Sequence, residues 1–219
     1  MSLEKKQCTA IVLAAGSGRR MGSATAKQFL PLGDKPVLWY SLQAVERSEI
    51  IDRCILVARE QEVSRVKKEI VEKYDFDKVA AVVPGGGERF ESVYHALCLA
   101  AREGVEGYIF IHDGARPFLT EEILRTLYEE VCRNRACVAA VPVKDTIKLA
   151  DGEGFAVQTP DRSRVWAVQT PQVFEAGLIL EAYRKLFERK AAPGKTITDD
   201  AMVVEEMLGI PVKLVKASY

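Results

Sequence analysis

The chain has 219 residues, of which 48% are hydrophobic and 28% charged, a composition that suits one globular domain with a sizeable core. Its 31 basic and 31 acidic side chains cancel, which excludes the broad basic surface of a nucleic-acid-coating protein but leaves room for a small anionic ligand. No apolar run reaches the roughly 18 residues of a membrane span, and the first six residues are too polar for a signal peptide. The five cysteines contain no C-x-x-C pair, so we expect a cytoplasmic protein with buried thiols.

Short β-branched runs alternate with helical patterns along the first two thirds of the chain. The runs predict five buried strands, at residues 9–15, 53–58, 78–83, 108–112 and 137–143. Apolar residues at spacings of three and four predict helices between them, with core-facing stripes at Leu38, Leu42 and Val45, at Val63, Val66, Ile70 and Tyr74, and at Phe90, Val93, Leu97 and Ala101. Thr120, which precedes two glutamates, predicts the start of a further helix. Strands joined by single helices favour right-handed crossovers, and hence a doubly wound α/β fold with a mostly parallel sheet.

The alternation breaks between Val143 and Gln172. Runs at 146–149 and 165–168, with a turn at 151–154 between them, indicate antiparallel pairing. We therefore expect a single domain over residues 1–219, with a protruding antiparallel β-arm at about 144–170. Two more helices are predicted after the arm, at 175–190 and 199–208, and a short strand at 212–215.

A glycine-rich loop follows the first predicted strand. Gly16 and Gly18 are followed closely by Arg19 and Arg20, and Lys27 comes a few residues later. Ligands in a doubly wound sheet bind beyond the carboxyl ends of the strands, where this loop lies. Glycines let backbone N–H groups approach a phosphate, and cations neutralise its charge. The loop is therefore a candidate cradle for a triphosphate, the alternative being a simple glycine turn with solvated arginines.

Two familiar phosphate loops do not fit this pattern. A Walker loop needs a lysine after its last glycine, and none follows Gly22. A dinucleotide fold opens its helix directly from the glycines, whereas Pro31 and Gly33 delay any helix here. The sequence therefore gives an NAD-dependent oxidoreductase little support.

Two later strand ends also carry candidate residues. Three glycines at 85–87 would let a flat ligand lie against the backbone, with Arg89 and Ser92 in the first turn of the next helix, the alternative being a structural turn. Asp113, after the fourth strand, is a candidate for Mg²⁺ or for a substrate hydroxyl, the alternative being a cap or a salt bridge with Arg116.

Histidine chemistry is a poor candidate mechanism in this chain. His112 directly follows an apolar strand, which favours a hydrogen-bonded structural residue over a general base, and His95 lies off the apolar stripe of its helix. No Ser/His/Asp order and no metal-ligand spacing is present.

Seven motifs occur in the order found in one known family. They are Ala14–Met21, Lys27-Gln28, Gly86–Arg89, His112–Pro117, Asp145–Lys148, Thr170–Gln172 and Thr196–Asp199. From about Cys8 to Val215 the chain resembles the 2-C-methyl-D-erythritol 4-phosphate cytidylyltransferases of non-mevalonate isoprenoid synthesis. The glycine loop is shared by many nucleotidyltransferases, whereas Asp145–Lys148 with Asp161-Arg162 and Thr170–Gln172 is far more specific.

The resemblance implies a reaction and a set of partners. CTP and methylerythritol phosphate would give the CDP-linked alcohol and pyrophosphate, with Mg²⁺ held mainly by the CTP phosphates. The substrate phosphate is already anionic, so positioning and charge neutralisation would suffice without a protein nucleophile. The family is expected to be a homodimer with exchanged arms, acting on small molecules, without nucleic acid and without a membrane.

The resemblance also implies residue roles. Arg20 and Lys27 would stabilise the pentavalent phosphorus, and Arg162 would reach the substrate phosphate across a twofold interface. The expected nucleotide-binding residues are Ala14, Ala15, Gly16, Ser17, Gly18, Gly86, Gly87 and Ser92, with Gly85 in the same turn. The expected residues for methylerythritol phosphate are Asp113, Arg116, Thr146 and Thr198.

Two features depart from the family pattern. Gly87 stands where the family often has an acid, which removes one contact to the nucleotide. The family also usually continues past the last strand into an Asn-Ile-Lys segment whose lysine contacts the substrate phosphate. The printed sequence stops at Tyr219, before such a segment, and we expect that the native protein contains one.

Two further functions remain as alternatives to this resemblance. A ribitol 5-phosphate cytidylyltransferase would share the glycine loop and the Lys27-Gln28 pair, although the Asp145–Lys148 motif argues against it. A non-enzymatic nucleotide-binding module would explain the glycine loops, but not cations clustered at the transfer point beside a substrate-facing arm.

Overall fold

The computed structural model describes residues 5–16, 26–189 and 196–218. The predictions for Ser17, Gly18 and Arg20 concern residues outside these ranges. Within the ranges, none of the helices has the length and apolar character needed to cross a membrane.

Strands and helices alternate along the chain as the sequence predicts. The strands are β1 (Cys8–Ala14), β2 (Pro31–Leu32), β3 (Lys35–Pro36), β4 (Arg53–Ala58), β5 (Val79–Pro84), β6 (Tyr108–Asp113), β7 (Ala136–Pro142), β8 (Leu149–Ala150), β9 (Ala156–Gln158), β10 (Trp166–Glu175) and β11 (Lys213–Lys216). The α-helices are α1 (Val37–Arg47), α2 (Val63–Val66), α3 (Arg89–Arg102), α4 (Glu121–Asn134), α5 (Ala176–Glu188) and α6 (Asp200–Leu208). Turns of 3₁₀ and π type extend α2 to cover Glu60–Tyr74.

In the described part of the chain, seven strands form one central sheet in the order β11-β7-β10-β6-β1-β4-β5. All neighbours are parallel except β10, which runs antiparallel to both β6 and β7. The prediction that residues 165–168 pair with 146–149 is therefore wrong, because residues 166–168 begin a ten-residue strand and pair with β7 in the main sheet. Because β10 runs opposite to its neighbours, its first residues pair with the end of β7, as in Trp166 with Pro142, and Gln172 pairs with Ile111 near the end of β6.

Two apolar cores cover the two faces of the sheet, as a doubly wound fold requires. One core is built by α1, the Glu60–Tyr74 segment and α4, and the other by α3, α5 and α6. The predicted stripe of α1 is confirmed, since Leu38, Leu42 and Val45 are buried. The stripe of α3 is wrong at Ala101, which is exposed, because the buried side of the helix ends at Ala100.

The arm differs from its predicted pairing. Residues 146–148 are not in a strand; β8, which begins at Leu149, pairs with β9 in a short antiparallel hairpin closed at residues 151–155. Asp151 explains the turn, because its carboxylate accepts the backbone N–H groups of Glu153 (3.0 Å) and Phe155 (2.9 Å). The β8–β9 hairpin lies within the predicted 144–170 span.

Candidate functional site

Three loops meet at the carboxyl ends of β1, β5 and β6. The N–H of Gly114 donates to the carbonyl of Leu13 (2.8 Å), which joins the loop after β6 to the end of β1. A Cβ atom on Gly85 would lie 2.6 Å from that of Ala15 and 2.7 Å from Ser92 Oγ, so only glycine lets the loop after β5 approach β1 this closely. The structure therefore brings together residues 14–16, 85–87 and 113–116, as expected for one site at this edge of the sheet.

Gln28 ties the end of β1 to the turn that carries Lys27. Its side chain is buried, and Nε2 donates to the carbonyls of Ala14 (2.6 Å) and Gly16 (3.0 Å). These bonds leave the Lys27 side chain exposed at the start of the Lys27–Phe29 turn, close in sequence to the anchored residue. Gln28 belongs to the Lys27-Gln28 motif, but its role follows only from the structure, which shows the carbonyls that it reaches.

Ser92 braces the glycine turn from within. Its buried hydroxyl accepts the N–H of Gly86 (3.1 Å) and donates to the carbonyl of Glu88 (3.2 Å). Glu88 and Glu91 form a capping box that starts α3 directly after the glycines. With its proton already donated inside the turn, Ser92 retains only a lone pair for a ligand.

Asp113 is the centre of a cluster of charges at the edge of the sheet. Its two carboxylate oxygens lie 3.2 Å from Arg89 Nε and 3.3 Å from Arg116 Nε. Arg89 also lies 2.9 Å from the carboxylate of Asp200, which is fully buried and accepts the hydroxyl of Tyr183 (2.6 Å). Arg89, the first residue of α3, thus joins carboxylates from the ends of two different elements.

The electrostatics of this cluster favour its charged form. Burial acts to raise the pKa of Asp113, but the positive charge of Arg89 above all holds that pKa below its usual range. Burial acts to lower the pKa of Arg89, and the carboxylates of Asp200 and Asp113 outweigh it, so this pKa is raised. Burial, and then the charge of Asp200, raise the pKa of Tyr183, which therefore stays a hydrogen-bond donor.

His112 is a structural residue, as its place beside an apolar strand predicted. Its Nε2 lies 3.1 Å from the carbonyl of Arg116, an acceptor that requires a proton on this nitrogen. Its Nδ1 carries no proton and accepts the hydroxyl of Thr170 (3.1 Å), whose Oγ1 in turn accepts the N–H of Asp113 (3.1 Å). Burial lowers the pKa of His112 to about 4, so the ring is neutral at pH 7. The neutral ring holds the 113–116 loop in place.

Gln172 and Asp199 attach the start of α6 to β10. Gln172 Oε1 accepts the N–H groups of Asp200 and Ala201, both at 3.0 Å, and its Nε2 donates to Asp199 Oδ2 (3.1 Å). Asp199 in turn caps the helix by accepting the N–H of Met202 (3.0 Å). The start of α6 is thereby fixed beside the Asp113 cluster, to which Asp200 belongs.

The remaining predicted substrate residues, Thr198, Thr146 and Arg162, are exposed. Thr198 is exposed one residue before the cap of α6, and its hydroxyl contacts Met202 Sδ (3.5 Å). Thr146 is exposed in the segment that leads to β8. Arg162 is exposed in the turn that precedes β10 and donates to the carbonyl of Lys144 (3.0 Å). Among the described residues, Thr146 and Arg162 have no hydrogen bond or ion pair with the Asp113 cluster.

The described residues do not form a protein cage for a metal ion. No three His, Cys, Asp or Glu side chains are grouped as metal ligands within residues 5–16, 26–189 and 196–218. Asp113, the predicted carboxylate for Mg²⁺, has both oxygens paired with arginines. Its surroundings favour a role in orienting Arg89 and Arg116 over a role as a metal ligand.

Most of the residues that organise the site were not assigned a role from sequence. Arg89, Thr170, Gln172 and Asp199 belong to the sequence motifs, whereas Asp200 and Tyr183 belong to none of them. The doubled acids at 199–200 directly before a helix were a usable signal, because one caps the helix and a second, buried acid requires a cation. The need for Tyr183 follows only from three-dimensional contact.

Comparison with known proteins shows the family of this chain. The sequence model of the family described as IspD, 2-C-methyl-D-erythritol 4-phosphate cytidylyltransferase, matches residues 8–219. That match runs through every strand end of the site. The chain belongs to this family. It is therefore an enzyme, a cytidylyltransferase, and the oxidoreductase and non-enzymatic alternatives are not supported.

Individual relatives of this cytidylyltransferase cover nearly its whole length. The enzymes of that name from Lachnospira eligens and Lachnoclostridium phytofermentans are 47% and 44% identical; the matches cover 96% and 98% of this chain, and 90% and 89% of theirs. A crystal structure of 4-diphosphocytidyl-2C-methyl-D-erythritol synthase from Anaerococcus prevotii superposes with a TM-score of 0.82 at 32% identity, over 99% of this chain and 91% of that one. The Francisella tularensis enzyme superposes with a TM-score of 0.78 at 26% identity, over 97% and 91%.

Proposed function

We propose that this enzyme transfers the cytidylyl group of CTP to 2-C-methyl-D-erythritol 4-phosphate, in isoprenoid precursor synthesis. The observation that carries this function is the family match over residues 8–219. The named relatives share this activity in their names, which disfavours the ribitol 5-phosphate alternative.

The chemistry that the site must support is an in-line displacement. An oxygen of the methylerythritol phosphate attacks the α-phosphorus of CTP, the new P–O bond forms, and the bond to the β-phosphate breaks to release pyrophosphate. Both reactants are anions, so the main barrier is charge repulsion and the main requirement is fixed positive charge. Lys27 supplies such a charge beside the anchored end of β1, and Arg20 is assigned the same role by its place in the family motif.

The nucleotide is assigned to the loops that follow β1 and β5. The backbone of Ala14, Ala15 and Gly16 is assigned to the nucleotide together with Gly86, Gly87 and Ser92, because Ala15 lies against Gly85 and Ser92 accepts the N–H of Gly86. Ser17 and Gly18 continue this assignment by their place in the glycine motif. Mg²⁺ is assigned to the CTP phosphates, because Asp113 is already paired with two arginines.

The acceptor substrate is assigned to the loop that follows β6 and to the start of α6. Arg116 has a side chain that is 46% exposed beside Asp113, so it can meet a phosphate or hydroxyl without leaving its ion pair. Thr198, near the start of α6, supplies an exposed hydroxyl on the same side of the sheet. Thr146 and Arg162 belong to the arm and are assigned to the site of a second subunit.

The proposed homodimer with exchanged arms is supported by the surface of the hairpin. Leu149, Phe155 and Val157 expose large apolar side chains on a two-stranded hairpin, an arrangement that is marginal unless something covers it. A second copy would cover these side chains and would receive Arg162 at its acceptor site.

Pyrophosphate release tests the reaction. The enzyme should release pyrophosphate from CTP with methylerythritol phosphate, and far more slowly with ribitol 5-phosphate or with ATP, GTP or UTP. Equal rates with the two polyol phosphates would contradict the proposed acceptor, and equal rates with all four nucleotides would contradict the proposed donor.

Mixing two inactive variants tests the arm. In a mixed dimer of Lys27→Ala and Arg162→Ala, one site would combine an intact Lys27 with an intact Arg162 from the other subunit. Unfolding and refolding the two variants together should therefore recover about a quarter of wild-type activity, as half the dimers are mixed and each has one complete site. No recovery, with mixed dimers shown to form, would place Arg162 in its own subunit's site.

A further inference from the structure

The side chain of Gln172 is buried and makes four hydrogen bonds, and no role has yet been assigned to it. We propose that Gln172 is a positioning residue for the acceptor substrate, which acts by fixing Thr198 and the start of α6 relative to Asp113. This proposal rests on the proposed function and extends it to a residue that would not itself touch the substrate.

The amide of Gln172 is fully used by the protein. The side chain is 2% exposed. Oε1 accepts two backbone N–H groups, from Asp200 and Ala201, while Nε2 donates to Asp199 Oδ2 and, at 3.4 Å, to the carbonyl of Gln169. No polar atom is left for a ligand, so any effect on the reaction is transmitted through α6.

The pattern of donors and acceptors requires an amide at this position. The N–H groups at the start of α6 need an acceptor, and the carboxylate of Asp199 needs a donor. Glutamate offers acceptors to both when ionised, and leucine or methionine offers neither a donor nor a strong acceptor. Glutamine meets both requirements with one side chain.

Two sets of contacts connect Gln172 to Asp113, one along β10 and one through α6. Along β10, Thr170 lies two residues before Gln172, and its hydroxyl accepts the N–H of Asp113. Through α6, Asp200 pairs with Arg89, which pairs with Asp113. Thr198 precedes the capping residue Asp199 directly, so its location follows that of the capped end. Loss of the Gln172 bonds would release Thr198 while leaving the nucleotide side, held by Gln28 and Ser92, intact.

A donor–acceptor exchange tests the proposal. Gln172→Glu places a carboxylate against that of Asp199, and Asp199→Asn can place an amide N–H₂ against that of Gln172. In the double variant the new amide donates to the new carboxylate, its oxygen still caps Met202, and the carboxylate still accepts from the two backbone N–H groups. Each single variant should therefore lose the contact, and the double variant should restore it.

Steady-state kinetics with both substrates provide the readout. Each single variant should raise the KM for methylerythritol phosphate about tenfold while changing the KM for CTP less than about twofold, since a misplaced positioning group weakens only its own substrate. The double variant should return to within about threefold of wild type. Should Gln172→Glu fail to fold, Asp199→Asn against the double variant gives the same comparison.

Ser48→Ala is the matched control. Ser48 is also buried, and its hydroxyl also accepts two consecutive backbone N–H groups, from Ile50 and Ile51, but these precede β4, at the opposite edge of the sheet. It should lower the melting temperature without separating the two KM values.

Three results would overturn the proposal. They are equal changes in both KM values, a double variant no better than the single variants, and a Ser48→Ala variant with the same KM pattern. If the wild type fails to release pyrophosphate from this substrate pair, the proposed function itself fails. If it does release pyrophosphate and Gln172→Glu leaves the KM values unchanged, only the role of Gln172 fails.

Discussion

The Asp113 cluster and the β8–β9 hairpin differ in the burial of their side chains. In the cluster, Asp200 is fully buried and its charge is compensated by Arg89, while burial and hydrogen bonding fix His112. In the hairpin, Phe155 is 69% exposed and Val157 64% exposed. The buried charges of the cluster thus find their partners within one chain. The hairpin presents apolar surface that one chain does not cover.

The difference shows where single substitutions should act. A change in the cluster removes a partner from a buried group, so folding and chemistry should suffer in the monomer itself. A change on the hairpin should leave the monomer's fold almost intact and act on association. Lys27, exposed at the edge, provides a third case, in which chemistry should suffer without any loss of stability.

Lys27→Ala should have the largest effect on activity. We expect kcat to fall about a thousandfold, because a charge that acts on the transition state is worth about 4 kcal/mol when removed. The free energy of unfolding should change by less than about 0.5 kcal/mol, since the side chain is exposed. Lys68→Ala, at another exposed lysine, is the control for both measurements. Wild-type turnover of the Lys27 variant would remove its assigned role.

Arg89→Met should have the largest effect on stability. It leaves the carboxylate of Asp200 buried without a cation, at a cost of about 3 kcal/mol in the free energy of urea unfolding. Arg116→Met removes the other cation beside Asp113 from a side chain that is 46% exposed, and should cost less than about 1 kcal/mol. Similar losses for both variants would contradict the distinction between a buried and an exposed partner. Asp200→Asn added to Arg89→Met should recover part of the loss.

His112 should make stability depend on pH between about 6.5 and about 4. Its pKa is lower in the folded state, so the unfolded chain binds more protons in this window and stability falls as the pH falls. Above the pKa of the unfolded chain, the buried neutral ring costs no stability. Within the window, the free energy of unfolding falls by up to about 1.4 kcal/mol per pH unit as the pH falls. Urea unfolding of His112→Gln should lack this slope, whereas His95→Gln, at an exposed position, should retain it. Equal slopes in wild type and His112→Gln would contradict the assignment.

Phe155→Ser should have the smallest effect, and only on association. We expect the dimer dissociation constant, measured by analytical ultracentrifugation, to rise about tenfold, because an apolar anchor is lost from the contact. The melting temperature of the monomer at high dilution should be unchanged. A stable monomer with no change in association would show that something other than a second copy covers the hairpin.

Local patterns predicted most of the fold correctly. The burial periodicity of α1 and the Thr120 cap of α4 follow from interactions within a few residues of sequence, and the alternation of strands with single helices predicts parallel neighbours. The place of β10 was missed because an antiparallel strand between two parallel ones depends on partners 24 to 67 residues away, from the Trp166–Pro142 pair to the Glu175–Tyr108 pair. No local pattern specifies such a partner.

The sequence by itself determined the fold class, the family and the edge of the sheet where the chemistry lies. Glycines, capping residues and apolar periodicity act over short distances, and a family's motifs are read directly from the chain. Only the tertiary structure decided which side chains satisfy one another: Gln28 with Ala14, Tyr183 with Asp200, and Gln172 with Asp199. Each pair joins elements that are distant in sequence, and the need of buried polar groups for a partner can be met by any suitable residue that folding brings within about 3 Å.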